Sequence, residues 1–158
     1  MIAKIASMST DRKPLSKTAR AVYRAIDALD ESVSFDEPLR ELVRLRASQL
    51  NGCAWCVEQH SRDAHDGGCD PRRIHSVTVW RETPFFDSRE RAALALTEAM
   101  TLLPVNGVPD DVYADAAREF SPEELGNLMG AIIAINAWNR VGVATGMQPP
   151  LELPTAVA

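Results

Sequence analysis

No stretch of about 18 consecutive apolar residues occurs in this sequence, so no membrane-spanning helix is predicted. Positive charge is not in excess either: 17 Lys and Arg stand against 22 Asp and Glu, giving a net charge of -5 and a pI of about 5.2. That balance offers no electrostatic footprint for nucleic acid or an anionic membrane, and neither is expected as a partner. The three cysteines are an odd number, which argues against a secreted disulfide framework. The segment Met1-Ile2-Ala3-Lys4-Ile5 turns polar too soon for a signal peptide. No Gly-rich loop suited to cradling a phosphate is present, so no nicotinamide, flavin or other cofactor is expected inside the chain. These absences point to a cytoplasmic protein.

What remains is ordinary for a globular chain: 158 residues, 46% hydrophobic and 25% charged. One domain is expected over residues 1–158, with a core at about 16–145 and a Pro-containing tail at 146–158. The periodicity is helical almost throughout. Apolar stripes predict helices over 16–30 and 38–50, the second stopped by Asn51-Gly52. A helix over 53–66 follows, closed by Gly67-Gly68. Asp70-Pro71 opens a short helix carrying Ile74, Val77 and Trp80, with a short strand over Val77-Thr78-Val79-Trp80 as the alternative. Asp87 with Glu90 reads as a capping box opening a helix to about Leu103. Residues 104–109 read as a loop and 110–119 as a short helix. Ser121-Pro122-Glu123-Glu124 starts a helix to about Ala144 that is apolar on several sides.

The chemistry concentrates in Cys53-Ala54-Trp55-Cys56, followed four residues later by His60. Near the start of a helix, the terminus favours the thiolate, and two cysteines at this spacing are close enough to form a disulfide. An imidazole at i+4 from Cys56 lies on the same helical face and can take its proton. Positions 53, 56, 60, 64 and 67 share that face, whereas Gln59, Arg62, Asp63 and Asp66 are expected to point elsewhere. Glu41 lies twelve residues before Cys53. If the two helices form an antiparallel hairpin about Asn51-Gly52, Glu41 and His60 sit at one level. Glu41 would then orient His60, and His60 would deprotonate Cys56.

The run from Glu41 through Cys56 to His60 resembles the signature of the carboxymuconolactone decarboxylase superfamily, in its alkyl hydroperoxidase D-like branch. Asn136-Ala137-Trp138-Asn139-Arg140 resembles another recurrent segment of that branch. The resemblance implies an all-α helical bundle with the C-x-x-C at the N-terminus of a core helix. It implies a thiol-dependent peroxidase acting on organic (alkyl) hydroperoxides. Cys56 would attack the peroxide, Cys53 would resolve the sulfenic acid as a disulfide, and an external dithiol reductant or reductase would restore the pair. The family pattern has a histidine immediately before the second cysteine; Trp55 stands there in this chain, and could shape an apolar pocket. The family also implies a homo-oligomer, trimer or hexamer. The apolar last helix supports association independently, with Ile135 and Trp138 as candidate contacts and Asn139-Arg140 as polar pairing at the edge.

Two alternatives stay open. A lactone decarboxylase-like acid–base enzyme would leave both cysteines unexplained. The other is a non-catalytic redox-sensing or zinc-binding module, and a zinc site needs two ligands beyond one C-x-x-C. His60, His65, His75 and Cys69 are nominees, but no second C-x-x-C or H-x-x-x-H completes a site. Cys69 reads as incidental, His65 and His75 as surface, and Trp80 and Trp138 as core or interface.

Overall fold

The computed structural model describes residues 12–151, which form helices and no strand. Residues 1–11 and 152–158, including the Met1–Ile5 segment and the end of the expected tail, lie outside the described residues. The helices are α1 (Leu15–Thr18), α2 (Arg20–Glu31), α3 (Glu37–Asn51), α4 (Ala54–Asp66), α5 (Pro71–Ser76), α6 (Ser88–Thr101), α7 (Leu103–Asn106), α8 (Asp110–Glu119) and α9 (Pro122–Thr145). A 3-10 segment, Val77–Glu82, follows α5. The expected all-α bundle with the C-x-x-C at the start of a core helix is what is observed.

Local chemistry sets most boundaries. Asp87 and Ser121 each cap a helix through reciprocal bonds with Glu90 and Glu124, the capping box at both sites. Asp70 accepts from the Arg72 N–H at the start of α5. Gly52, at φ 68°, supplies the left-handed residue that ends α3, and the Cys53 N–H closes back onto the Ser48 carbonyl. That turn folds α4 back against α3. Of residues 104–109, expected as a loop, 104–106 belong to the short helix α7, which begins at Leu103. Pro104 is tolerated there because it falls in the first turn, where its missing N–H has no helical acceptor.

Helix α3 lies between two apolar clusters. Leu39 and Val43 pack with Leu96, Phe120, Leu128 and Ile132 on one side. On the other, Leu42 and Leu45 pack with Ala64, Ile74, Val77, Trp80 and Leu94. A third stripe of α3 is polar: Glu41, Arg44 and Ser48 are buried and Asn51 is half-buried. Their spacing of three, four and three puts them on one edge, facing α4 and α9. Polar groups so placed need partners, and those partners make up the site.

Ile135, expected at a subunit contact, is 1% exposed, and Asn139, expected at its polar edge, is fully buried. Both face the interior of their own chain, because the stripe of α9 that meets α3 is the one carrying them. Asn139 donates to Ser48 Oγ (2.9 Å) and accepts from Asn51 Nδ2 (2.9 Å). Asn51 also reaches Asn136 (3.0 Å), which donates to Thr101 (3.0 Å). Arg140 bonds within its own helix, to Asn136. The large apolar side chains that α9 exposes are Ile133 and Val143. Among the described residues, no helix is long and apolar enough to cross a membrane.

Candidate active site

Cys53 caps α4, one residue ahead of its first turn, and its Sγ accepts from the Cys56 N–H at 3.4 Å. Cys53 and Cys56 are joined by a disulfide, with Cα atoms 5.3 Å apart, and both side chains are buried. Cys56 lines a cavity of about 410 Å3 together with Trp55, Gln59 and His60 from α4, Tyr23, Asp27 and Asp30 from α2, and Trp138 and Met147. Cys53 is not among the lining residues. It sits behind Cys56, against Gly142 of α9.

Glu41 and His60 meet at the level the hairpin geometry requires: Glu41 Oε2 lies 2.8 Å from His60 Nδ1. The other carboxylate oxygen accepts from Arg44 Nη1 at 2.9 Å, and Arg44 Nη2 donates to Asp30 at 2.6 Å. Burial pushes the Glu41 carboxyl up, but the hydrogen bonds and charges of His60 and Arg44 outweigh it and hold the group below the usual glutamate range. An ionised carboxylate only accepts hydrogen bonds, so Nδ1 carries the proton toward Glu41. Nε2 of the neutral ring is then the acceptor left for Cys56 or a bound substrate.

This arrangement makes stability acid-sensitive in a defined direction. Because the folded Glu41 pKa is depressed, its contribution is complete above the unfolded value of about 4.3 and is lost as pH falls through the lower folded value. Glu98 is depressed in the same way: burial raises it, and bonds from Trp80, Arg81 and Arg46 bring it down further. Urea unfolding of wild type and Glu41→Gln across pH 3 to 7 isolates the Glu41 part. The stability gap between the two proteins should shrink as pH drops below about 4.3. A gap of equal size at every pH would contradict the assignment.

Two residues expected to point away do not. Gln59 lines the cavity, and Asp63 Oδ2 lies 3.9 Å from His60 Nδ1. Steps of three along a helix rotate a side chain only about 60° off the face, so 56, 59, 60 and 63 share one broad arc. Trp138, expected as core or interface, lines the cavity and packs edge-on against Tyr23, with ring centroids 4.9 Å apart. Arg44 and Asp30 were not expected at all. The signal available is a cation three residues after Glu41, one turn on along the same helical face.

Among the described residues, the one group of three metal-capable side chains is Glu41, His60 and Asp63, which includes neither cysteine. His65 is exposed, and a larger, more open cavity of about 540 Å3 takes in His65 and His75 but no thiol. The nominees for a zinc site are therefore not assembled about the C-x-x-C.

Gly142 of α9 faces the sulfur pair. A Cβ there would lie 2.7 Å from Cys53 Sγ and 3.5 Å from Cys56 Sγ. Gly142→Ala should therefore impede closure of the disulfide and cost the oxidised protein about 1–3 kcal/mol, as overpacking does. Thiol titration after mild oxidation, with urea unfolding of the oxidised form, reads both effects. Wild-type closure and an unchanged unfolding midpoint would show that α9 yields freely at this point.

Comparison with known proteins sets this geometry in context. The profile of the carboxymuconolactone decarboxylase family matches residues 17–99. The uncharacterized protein YdfG of Bacillus subtilis is 39% identical over 113 residues, 72% of this chain and 77% of that protein. The uncharacterized protein YnjA of Escherichia coli is 30% identical over 97 residues, and the match spans 61% of this chain and 53% of YnjA. A solved protein of unknown function from Agrobacterium tumefaciens, with a suggested role as the antioxidant defence protein AhpD, superposes with a TM-score of 0.86 at 35% identity. That superposition covers 89% of this chain and 99% of the other. The debrominase Bmp8 shares the fold with a TM-score of 0.76 at 19% identity, over 85% and 74% of the two chains.

Proposed function

This chain belongs to the carboxymuconolactone decarboxylase family, in its AhpD-like branch, and on that premise we propose that it is a thiol peroxidase reducing organic hydroperoxides. The observation that carries the reading is the asymmetry of the cysteine pair. Cys56 lines the cavity that His60 also lines, and Cys53 waits behind it within disulfide reach.

In the reduced enzyme His60 Nε2 takes the Cys56 proton, and Glu41 stabilises the resulting imidazolium. The thiolate attacks the distal oxygen of the hydroperoxide. The S–O bond forms, the O–O bond breaks, and the alkoxide leaves with the proton held by His60. Cys56 is now a sulfenic acid. Cys53 attacks its sulfur, the disulfide forms, and water departs. An external dithiol then reduces the disulfide by exchange through a mixed disulfide. No residue-bound cofactor enters the cycle. The test is peroxide consumption under a dithiol reductant; no turnover above the rate of free dithiol would refute the reading.

The proposal includes a homo-oligomer, trimer or hexamer. Ile133 and Val143 on α9, with Leu102, Leu103 and Val105 around α7, are among the exposed apolar side chains available to such a contact. Light scattering coupled to size exclusion should give a multiple of 17.3 kDa. A monomer mass across micromolar concentrations would end this part.

A further inference from the structure

We propose that the cavity beside Cys56 selects ligands carrying an ammonium group and rejects carboxylates of the same size. Three aromatic side chains, Tyr23, Trp55 and Trp138, contribute to its wall. Aromatic faces are negative at the centre and attract cations. Two carboxylates, Asp27 and Asp30, also line it, and no lysine or arginine does. Asp27 is exposed on α2, and no ion pair holds it among the described residues. Asp30 is bound to Arg44.

The charges behind the wall do not restore the balance. Arg44 is shared between Asp30 and Glu41, and His60 lies between Glu41 and Asp63. Among the lining groups and those bonded to them, four carboxylates meet one guanidinium and one imidazole, and negative charge remains in that set whether or not His60 is protonated. A small cleft with low-dielectric walls focuses such a field and raises the local concentration of cations at the expense of anions. At about 410 Å3 the cavity suits a compact aryl or alkyl group bearing one charged head. The substrate class is therefore a small organic hydroperoxide that is cationic or neutral, with fatty-acid hydroperoxides disfavoured by their carboxylate.

As a statement about a hydroperoxide, this rests on the peroxidase reading; as a statement about binding, it does not. Three cumene hydroperoxides with a para trimethylammoniomethyl, methyl or carboxylate substituent test it at low ionic strength. The expected order of kcat/KM is ammonium, methyl, carboxylate, with the first exceeding the last by about tenfold or more. Asp27→Asn should narrow that ratio severalfold, and Asp27→Lys should reverse it. Equal rates for the three, or a carboxylate preference, would overturn the inference and leave the peroxidase reading standing. A second arm titrates the oxidised protein with benzyltrimethylammonium and with phenylacetate, read by tryptophan fluorescence. Tighter binding of the ammonium ion without turnover of any peroxide would sustain the inference and remove the peroxidase reading. Binding that is equal for the two ions, or absent for both, would overturn the inference.

Discussion

Cys56→Ser should reduce hydroperoxide turnover to background, whereas Cys53→Ser should stop the cycle one step later. The difference follows from where the sulfurs sit. Cys56 is the cysteine lining the cavity, one helical turn before His60, and only there can a bound peroxide meet both a thiolate and a base. A serine hydroxyl in its place stays protonated and is a poor nucleophile toward an O–O bond. Cys53 has its Sγ against the Cys56 amide and Gly142, reachable from Cys56 but not from the cavity. Cys53→Ser should therefore react once and hold the oxidised sulfur as a sulfenic acid on Cys56, trappable by dimedone. Mass spectrometry of the labelled protein locates the adduct. A dimedone adduct on Cys53 of wild type, together with an unlabelled Cys56 in Cys53→Ser, would exchange the two roles.

Much of this arrangement is legible in the sequence because it is local. Caps, prolines at first turns and the glycine after Asn51 act within a few residues, and each sets the helix boundary it announces. The Glu41–His60 pairing was also within reach, since one tight turn fixes the register of two successive helices. The rest depends on contacts that no local pattern encodes. Asp30 and Tyr23 enter the site because α2 packs across α9, more than twenty residues from the C-x-x-C. Asn139 looked like an edge residue because a polar pair in an apolar helix suggests a wet boundary. Instead it is buried and satisfied by Ser48 and Asn51, a solution visible only once α3 and α9 are side by side. Ile135 reads as a contact residue for a related reason but is buried. A helix apolar on several sides does not reveal which stripe faces its own core and which is left for a neighbour.

The polar edge of α3 also ties together the elements that carry the site. Arg44 holds Glu41 and Asp30 at once, and Ser48 and Asn51 tie the turn bearing Cys53 to α9. Each buried polar group there has a partner, so the network fixes geometry instead of costing unpaired desolvation. None of these bonds involves a cysteine sulfur, and the turn should therefore keep its shape through a redox cycle.

Removing either member of the Glu41–His60 pair should lower peroxide turnover by about 10²-fold or more, the range of a general-base contribution. His60→Asn removes the base itself. Glu41→Gln leaves the ring in place but takes away the charge that holds the proton on Nδ1 and stabilises the imidazolium. The amide can also present its NH2 to Nδ1, which would favour the other tautomer and turn Nε2 into a donor. The two losses should share one cause, so the double variant should be little slower than the slower single one. The pH profile separates this from mere loosening of the fold. At alkaline pH, Cys56 ionises without help, and the deficit of both variants should shrink toward wild type. A deficit constant with pH would mark a structural effect, and losses that multiply in the double variant would show two independent roles in place of one relay.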